Sequence, residues 1–506
     1  MSTYRRETGG LIDRTKPVNF SFNGKNYLGF EGDTLASALI ANGQHMIGRS
    51  FKYHRPRGIL GTGAEDPAAL VQLGNDKART DPNIRVTEQE IYNGLIARPQ
   101  NVWPSLDFDI GRLNDLMWRF LPAGFYYKTF MGPPMNWMFF EPFIRKAAGL
   151  GKSPTEPDPD HYESVNRHCD VLVIGGGPAG IMAAEAASLA GARVILCDEG
   201  PRLGGQLLSE RPETRLNDTD VISWSEEKAA TFATRDNITV LNRTSAFGYY
   251  GENFVGLWEK VTDHLAPSDR PERAPRERIW RVRAKEVVLA TGAFERPIVF
   301  HENDRPGIML ASAAQTYANR YGALPGKNVL VFTNNDAAWM NAFALQDAGA
   351  SIVGIVDARP KIDGGLLAKA AEAGIDIFPR SGIVGTKGKE RVRQAEVRTL
   401  GDNLEPTGAA KSVECDLIAV SGGYNPNVAL FSQSRGKLRY DEDIAAFRPG
   451  PSWQHERSVG SANGTYDLGK CLEEGVQAGS AAATACGLKE PKVPSLKLKA
   501  GRSSML

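Results

Sequence analysis

Residues 170–199 read DVLVIGGGPAGIMAAEAASLAGARVILCDE. A short apolar run leads into a glycine-rich turn, an alanine-rich stretch of helical length follows, and a second apolar run ends on two acids. The order is that of a complete strand–turn–helix–strand unit. Gly175, Gly177 and Gly180 fill three glycine positions with separate duties: the tight turn, the approach of backbone to a pyrophosphate, and close packing of helix on strand. The pyrophosphate is expected on the helix N-terminus, where backbone N–H groups and the helix dipole favour an anion. Asp198 stands where an acid takes the ribose hydroxyls of an adenosine half. An acid there disfavours a 2′-phosphate, so NAD or FAD is expected rather than NADP. The fingerprint reads only the ADP half that both share, so it does not separate the two.

Working outward, KEVVLATGAFERP (285–297) is an apolar strand that delivers Ala290, Thr291 and Gly292, and CDLIAVSGGYNPN (415–427) has the same form and delivers Ser421, Gly422 and Gly423. Both are expected to return to one nucleotide-binding sheet. VGSANGTYDLGKCLEEGVQAGSAAA (459–483) sets a turn at Gly460 before an alanine-rich helix, whose N-terminus is expected to face phosphate or a flavin ring. The candidate nucleotide contacts are Gly175, Gly177, Pro178, Ala179, Gly180, Asp198, Glu199, Gly205, Gln206, Ala290, Thr291, Gly292, Gly422 and Gly460. Between these segments, NVLVFTNNDAAWMNAF (328–343) repeats the strand–turn–helix layout without its glycines. Side chains at Thr333 to Ala338 obstruct a pyrophosphate and Asp336 repels it, while Asp357 keeps the ribose-acid position, so little or no NAD(P)H is expected there.

Toward the N-terminus, KPVNFSFNGKNYL (16–28) alternates apolar and polar residues around Asn23-Gly24, a strong hairpin signal. Asp33 and Thr34 offer an N-cap to LASALIANG, a short helix ending at Gly43. The expected fold class is α/β: a Rossmann-type core of the two-dinucleotide flavoprotein kind preceded by a β-grasp, ferredoxin-like module. The expected boundaries are 10–100 for that module, 101–165 for an aromatic connector ending in the solvated PTEPDPD, 166–325 with 413–488 for the nucleotide domain, and 326–412 for the degenerate insert.

The 60 basic and 59 acidic residues balance, which gives no general attraction to nucleic acid or to an anionic membrane. Cys169, Cys197, Cys415, Cys471 and Cys486 have neither disulfide nor metal-ligand spacing, and no CxxC pair occurs. The opening residues carry no signal-peptide pattern, so the cytoplasm is the expected compartment. The segment Trp118–Ile144 is rich in aromatics but too interrupted to span a bilayer. Two readings stand for it: packing between domains, or a surface that a partner covers. The seven histidines and the carboxylates show no acid–base or nucleophile spacing, so no catalytic residue and no metal ligand is assigned.

The runs RSFKYHRPRGILGTGAEDPAALV (49–71), NVWPSLDFDIGRLNDL (101–116), LPAGFYYKTFM (121–131), ATGAFERPIVFHENDRPGIMLA (290–311) and SGGYNPNVALFSQSRGKL (421–438) resemble the N-terminal half of the alpha subunits of heterotetrameric sarcosine oxidases. Opine oxidase and amino-acid dehydrogenase A subunits share the nucleotide-binding part. The resemblance implies a division of labour. FAD sits in a beta subunit where the amine is oxidised, FMN is held covalently by beta at the alpha–beta interface, and NAD sits in alpha without turning over. Electrons pass from amine to FAD, to FMN, to oxygen. Carried over, Gly175, Gly177, Gly180 and Asp198 hold NAD, with FAD as the alternative in the same site. In ferredoxin-like relatives the loop at 58–70 carries cluster cysteines; the corresponding places here are Gly61, Asp66 and Ala69, so no [2Fe–2S] cluster is expected. Family alpha chains continue into a folate-binding half, and no folate chemistry is assigned to these residues. The competing functions are an opine or amino-acid dehydrogenase subunit, and an autonomous FAD-dependent pyridine-nucleotide oxidoreductase, which needs a working second site.

Overall fold

The computed structural model describes residues 4–121, 124, 136–147, 149–211, 213–494 and 496–499. The chain forms two compact units, one of Met1–Pro159 with Pro297–Ser421 and one of Asp160–Arg296 with Gly422–Leu506.

The first unit opens on the hairpin Asp13–Phe22 and Lys25–Glu31. Its turn residues Asn23 and Gly24 both take positive φ, 51° and 75°, the mirror-image turn whose twist suits paired strands. Leu95–Pro99 adds in parallel to the first strand, and Leu70–Leu73 and Asp81–Arg85 complete a mixed five-stranded sheet. Helix Leu35–Ala41 is buried along its whole length. Thr34 caps it by accepting the Ser37 N–H. Asp33 does other work: buried, it accepts two bonds from Arg5, the Phe30 N–H and the Ser37 hydroxyl.

The same unit contains a parallel sheet in the order Ile308–Leu310, Leu417–Ser421, Asn328–Thr333, Ser351–Asp357, Ile377–Pro379. Phe22, Leu39 and Ile47 of the module share one core with Tyr317, Trp339 and Leu345 of this sheet's helices. The expected boundaries change accordingly. The second nucleotide-type region begins at Pro297, not at 326, because Ile308–Leu310 pairs with Leu417–Ser421. For the same reason the strand of CDLIAVSGG does not return to the first nucleotide sheet; it lies between two strands of the second.

The second unit is built on a sheet in the order Ile238–Leu241, Val194–Cys197, Tyr162–Ile174, Glu277–Leu289, Phe254–Lys260, Thr244–Tyr250, with Glu456–Ser458 also pairing Glu277–Leu289. Helix Pro178–Leu189 covers it and is crossed by helix Leu468–Ala485. The crossing is close because of two glycines. A Cβ on Gly475 would lie 2.3 Å from the Ala179 carbonyl oxygen, and one on Gly479 would lie 2.2 Å from that of Ala183.

Most of LPAGFYYKTFM lies outside the described residues. On either side of it, Leu116, Phe120, Met138 and Phe143 are largely exposed rather than packed inward. Among the described residues no helix is long and apolar enough to cross a membrane.

Candidate functional site

All fourteen candidate residues lie in the second unit. The turn after Tyr162–Ile174 assigns its glycines by sterics. Gly175 has φ 104°, and a Cβ there would meet the Ala290 carbonyl oxygen at 2.2 Å. At Gly180 it would meet the Gly175 carbonyl oxygen at 1.8 Å. At Gly177 it would have no neighbour within 4 Å. Two of the glycines therefore serve packing, and the third leaves open space at the start of the helix.

That helix has Gly177 as its N-cap and Pro178 at its first position, and no side chain caps it. Pro178 brings no N–H, which is why proline suits this place. The N–H groups that follow, at Ala179 and Gly180, sit where an anion is favoured. Helix Leu468–Ala485 differs. Asp467 accepts the Lys470 N–H at 2.9 Å and closes its N-terminus with a carboxylate, so this end does not offer the phosphate site expected of it. Gly460 instead leans on Ala179, with only 3.0 Å between its would-be Cβ and the Ala179 Cβ, and donates its N–H to Glu474 Oε2 at 2.8 Å.

Asp198 organises the turn. Its Oδ2 accepts the Gly176 N–H at 2.6 Å and its Oδ1 the Gly200 N–H at 2.7 Å. The first bond ties the end of strand Val194–Cys197 to the glycine turn, and the second holds the chain just after it. Glu199 beside it is exposed. Gly205, at φ 54°, packs on Gly177, its would-be Cβ 2.9 Å from the Gly177 Cα, and Gln206 follows, half-buried, in a short 3-10 turn. The Ala290 N–H donates to the Ile174 carbonyl. The Thr291 hydroxyl donates to the Asn427 carbonyl at 2.9 Å, and the Asn427 N–H donates back to the Gly292 carbonyl at 3.0 Å. The Gly422 N–H donates to the Arg296 carbonyl at 2.6 Å. Gly175, Gly177, Ala179, Gly180, Gly205, Ala290 and Gly460 thus form one contact set, and Gly422 belongs to the adjoining Arg296–Asn427 clasp.

Sequence reasoning missed four supports: Gly204, whose φ of 129° and N–H bond to the Gly176 carbonyl hold the second wall, and Glu474, Asn427 and Arg296. Only Gly204, adjacent to Gly205, carried a local signal.

In the first unit the glycine-free turn is filled by its own side chains. Asn335 Nδ2 donates to the Ser421 carbonyl at 3.1 Å and to its hydroxyl at 3.0 Å, across the ends of two neighbouring strands. Arg359 bridges the buried Asp357, at 2.8 Å, and Asp336, at 2.6 Å, while Trp339 Nε1 also donates to Asp357 at 2.9 Å. The ribose-acid position is therefore already engaged. No group of three or more His, Cys, Asp or Glu arranged to hold a metal occurs among the described residues. The five cysteines are free, and burial pushes the thiols of Cys169, Cys415 and Cys471 up to about 12.

Comparisons with known proteins bear on both units. Residues 15–102 match a family model described as a 2Fe-2S iron-sulfur cluster binding domain. The chain is 44% identical over 506 residues to sarcosine oxidase subunit alpha of Rhizobium meliloti (strain 1021), covering 99% of this chain and 49% of that protein. It is 37% identical over 482 residues to the subunit of the same name from Corynebacterium sp. (strain P-1), covering 94% and 44%. The chain thus spans about half the length of these relatives. The fold is also that of L-proline dehydrogenase from P. horikoshii, with a TM-score of 0.61 at 19% identity over 97% of this chain and 77% of that one. Residues 169–446, which contain every candidate contact but Gly460, match the model of the pyridine nucleotide-disulphide oxidoreductases. Homologous along its length to the sarcosine oxidase alpha chains, and matched over more than half of its residues by that model, the chain belongs to the pyridine nucleotide-disulphide oxidoreductase family.

Proposed function

We propose that this chain is the nucleotide-holding, alpha-type part of a sarcosine oxidase-like amine oxidoreductase, with NAD as a static ligand of the second unit and amine oxidation on a flavin-bearing partner. The observation that carries this reading is the contrast between the two turns. One has an uncapped helix N-terminus and open space over Gly177; the other is closed by Asn335, Arg359 and Trp339. A chain with a single nucleotide position suits a scaffold better than a reductase, which passes hydride between two bound cofactors. Gly177, Ala179 and Gly180 would receive the pyrophosphate, and Asp198 the ribose. FMN is proposed at the contact with the partner, supported by the resemblance to alpha chains rather than by any residue here.

The competing reading, an autonomous FAD-dependent reductase, draws on the family match. It requires FAD over Gly177 and a second nucleotide at Asp357, which Arg359 occupies. Denaturing the purified chain and identifying the released nucleotide by mass spectrometry separates the two. NAD without flavin, and negligible sarcosine-dependent peroxide from the chain alone, are expected. Stoichiometric FAD with NAD(P)H oxidation by the chain alone would overturn the proposal.

A further inference from the structure

A [2Fe–2S] cluster is held by four thiolates. The region matched by the cluster-binding model contains no cysteine at all, and the places corresponding to ligands are Gly61, Asp66 and Ala69. These residues do not fit a cluster. What stands in the loop is a carboxylate. Asp66 is 1% exposed; its Oδ2 accepts the N–H groups of Leu60 at 2.7 Å and Gly61 at 3.0 Å, and its Oδ1 those of Ala68 at 3.0 Å and Ala69 at 2.9 Å. Glu65 Oε1 accepts those of Thr62 at 2.7 Å and Gly63 at 3.0 Å. Iron–sulfur clusters also accept hydrogen bonds at their sulfurs, so the carboxylate meets the same kind of donor from the same loop. Two of its four partners are the amides of the other two ligand places. Restoring a side chain at Gly61 would put its Cβ 2.3 Å from Glu65 Oε1 and displace that group.

The carbonyls of the loop turn to other elements of the first unit. Gly61 accepts the Tyr317 hydroxyl at 2.9 Å and Leu60 the Leu310 N–H at 2.9 Å, both from the strand and helix that open the parallel-sheet region. Gly63 accepts the Thr87 hydroxyl at 2.8 Å and Asp66 the Arg85 Nε at 3.2 Å.

We infer that the Asp66 carboxylate has replaced the iron–sulfur cluster as the anion around which this loop folds, making the loop a metal-free joint between the ferredoxin-like module and residues 308–319. The module then has no part as an electron relay, whichever nucleotide the second unit holds.

The test uses the full chain. Anaerobic incubation with ferrous iron and sulfide, followed by analysis of iron, acid-labile sulfide and visible absorbance, is expected to give no stoichiometric cluster. Hydrogen exchange of the amides of residues 60, 61, 68 and 69 is expected to be slow in chelator-treated protein. In D66N, which keeps the shape but replaces an acceptor oxygen with a donor, it should accelerate about tenfold or more, since a lost acceptor leaves a buried donor unsatisfied, while strand 171–174 is unchanged. A stoichiometric cluster, rapid exchange in chelated wild-type protein, or wild-type exchange in D66N would each overturn the inference. Should D66N not fold, the two wild-type measurements decide it.

Discussion

A methyl group added at Gly177 enters open space, whereas one added at Gly180 meets the Gly175 carbonyl oxygen at 1.8 Å. The two substitutions therefore separate ligand from fold. G177A is expected to melt like wild type but to retain at least tenfold less nucleotide, because its Cβ stands where backbone must approach the pyrophosphate. G180A is expected to lose about 2–3 kcal/mol in denaturant titrations, the cost of forcing a methyl into a closed contact. A G177A protein with its full complement of nucleotide would show that no pyrophosphate lies over this turn. In the first unit, R359A leaves Asp357 buried with only the Trp339 donor and its own local contacts. A loss of about 2–3 kcal/mol is expected, short of a fully buried pair because Arg359 is partly exposed. Retention of wild-type stability in R359A would mean that the Asp336–Arg359–Asp357 bridge does not hold the turn. Gly175, Gly177 and Gly180 were legible in the sequence because their spacing between a strand and a helix is a local pattern, although the Ala290 carbonyl that excludes a Cβ at Gly175 comes from far along the chain. Asn427 and Arg296 were not, because Thr291 and Gly422 are brought to them from far along the chain, and Glu474 was not, because its bond to the Gly460 N–H depends on how the turn before its helix folds back. Asp66 was legible as a missing cysteine but not as an acceptor for four amides.

Among elements, the crossing of helices Pro178–Leu189 and Leu468–Ala485 sets where the candidate pyrophosphate position stands. Gly475 and Gly479 are four residues apart, one helical turn, and face Ala179 and Ala183 on the partner helix. G475V is expected to destabilise by about 3 kcal/mol and also to weaken nucleotide retention, since it pushes on Ala179 at the first turn. Thermal melts with and without added NAD would check this; a variant with unaltered melting and retention would show that the helices yield there without cost. The alanine-rich character of both helices was readable, and so was the strand in CDLIAVSGG. The sheet to which Leu417–Ser421 belongs was not. An apolar strand followed by glycines looks alike in either parallel sheet, and its neighbours are settled by pairing with Ile308–Leu310 and Asn328–Thr333, which its own residues do not encode.

For the whole molecule, pH gives a graded test of the second unit. Burial, aided by the Asp263 carboxylate, raises Glu277 from 4.5 to about 7. A carboxyl raised in the folded state binds a proton on folding, so its contribution is fully present below about 4.5 and is lost as pH climbs to about 7. E277Q is expected to flatten this part of the stability profile and to exceed wild type by about 1–2 kcal/mol at pH 8. Parallel profiles for the two proteins between pH 5 and 8, the range about roughly these values where the linkage acts, would count against it. The shared core of the first unit has a further consequence during synthesis. Ile12 to Leu106 complete their packing only against residues from Met309 to Ala419, and at roughly 5–20 residues per second the ribosome needs on the order of 15–60 s to deliver them. For that interval the nascent module exposes an unfinished apolar face, with the whole of residues 160–296 emerging in between. Stalled ribosomes bearing chains cut short of residue 300 are therefore expected to hold a protease-sensitive, chaperone-bound module, and protection at that length would show that it closes unaided.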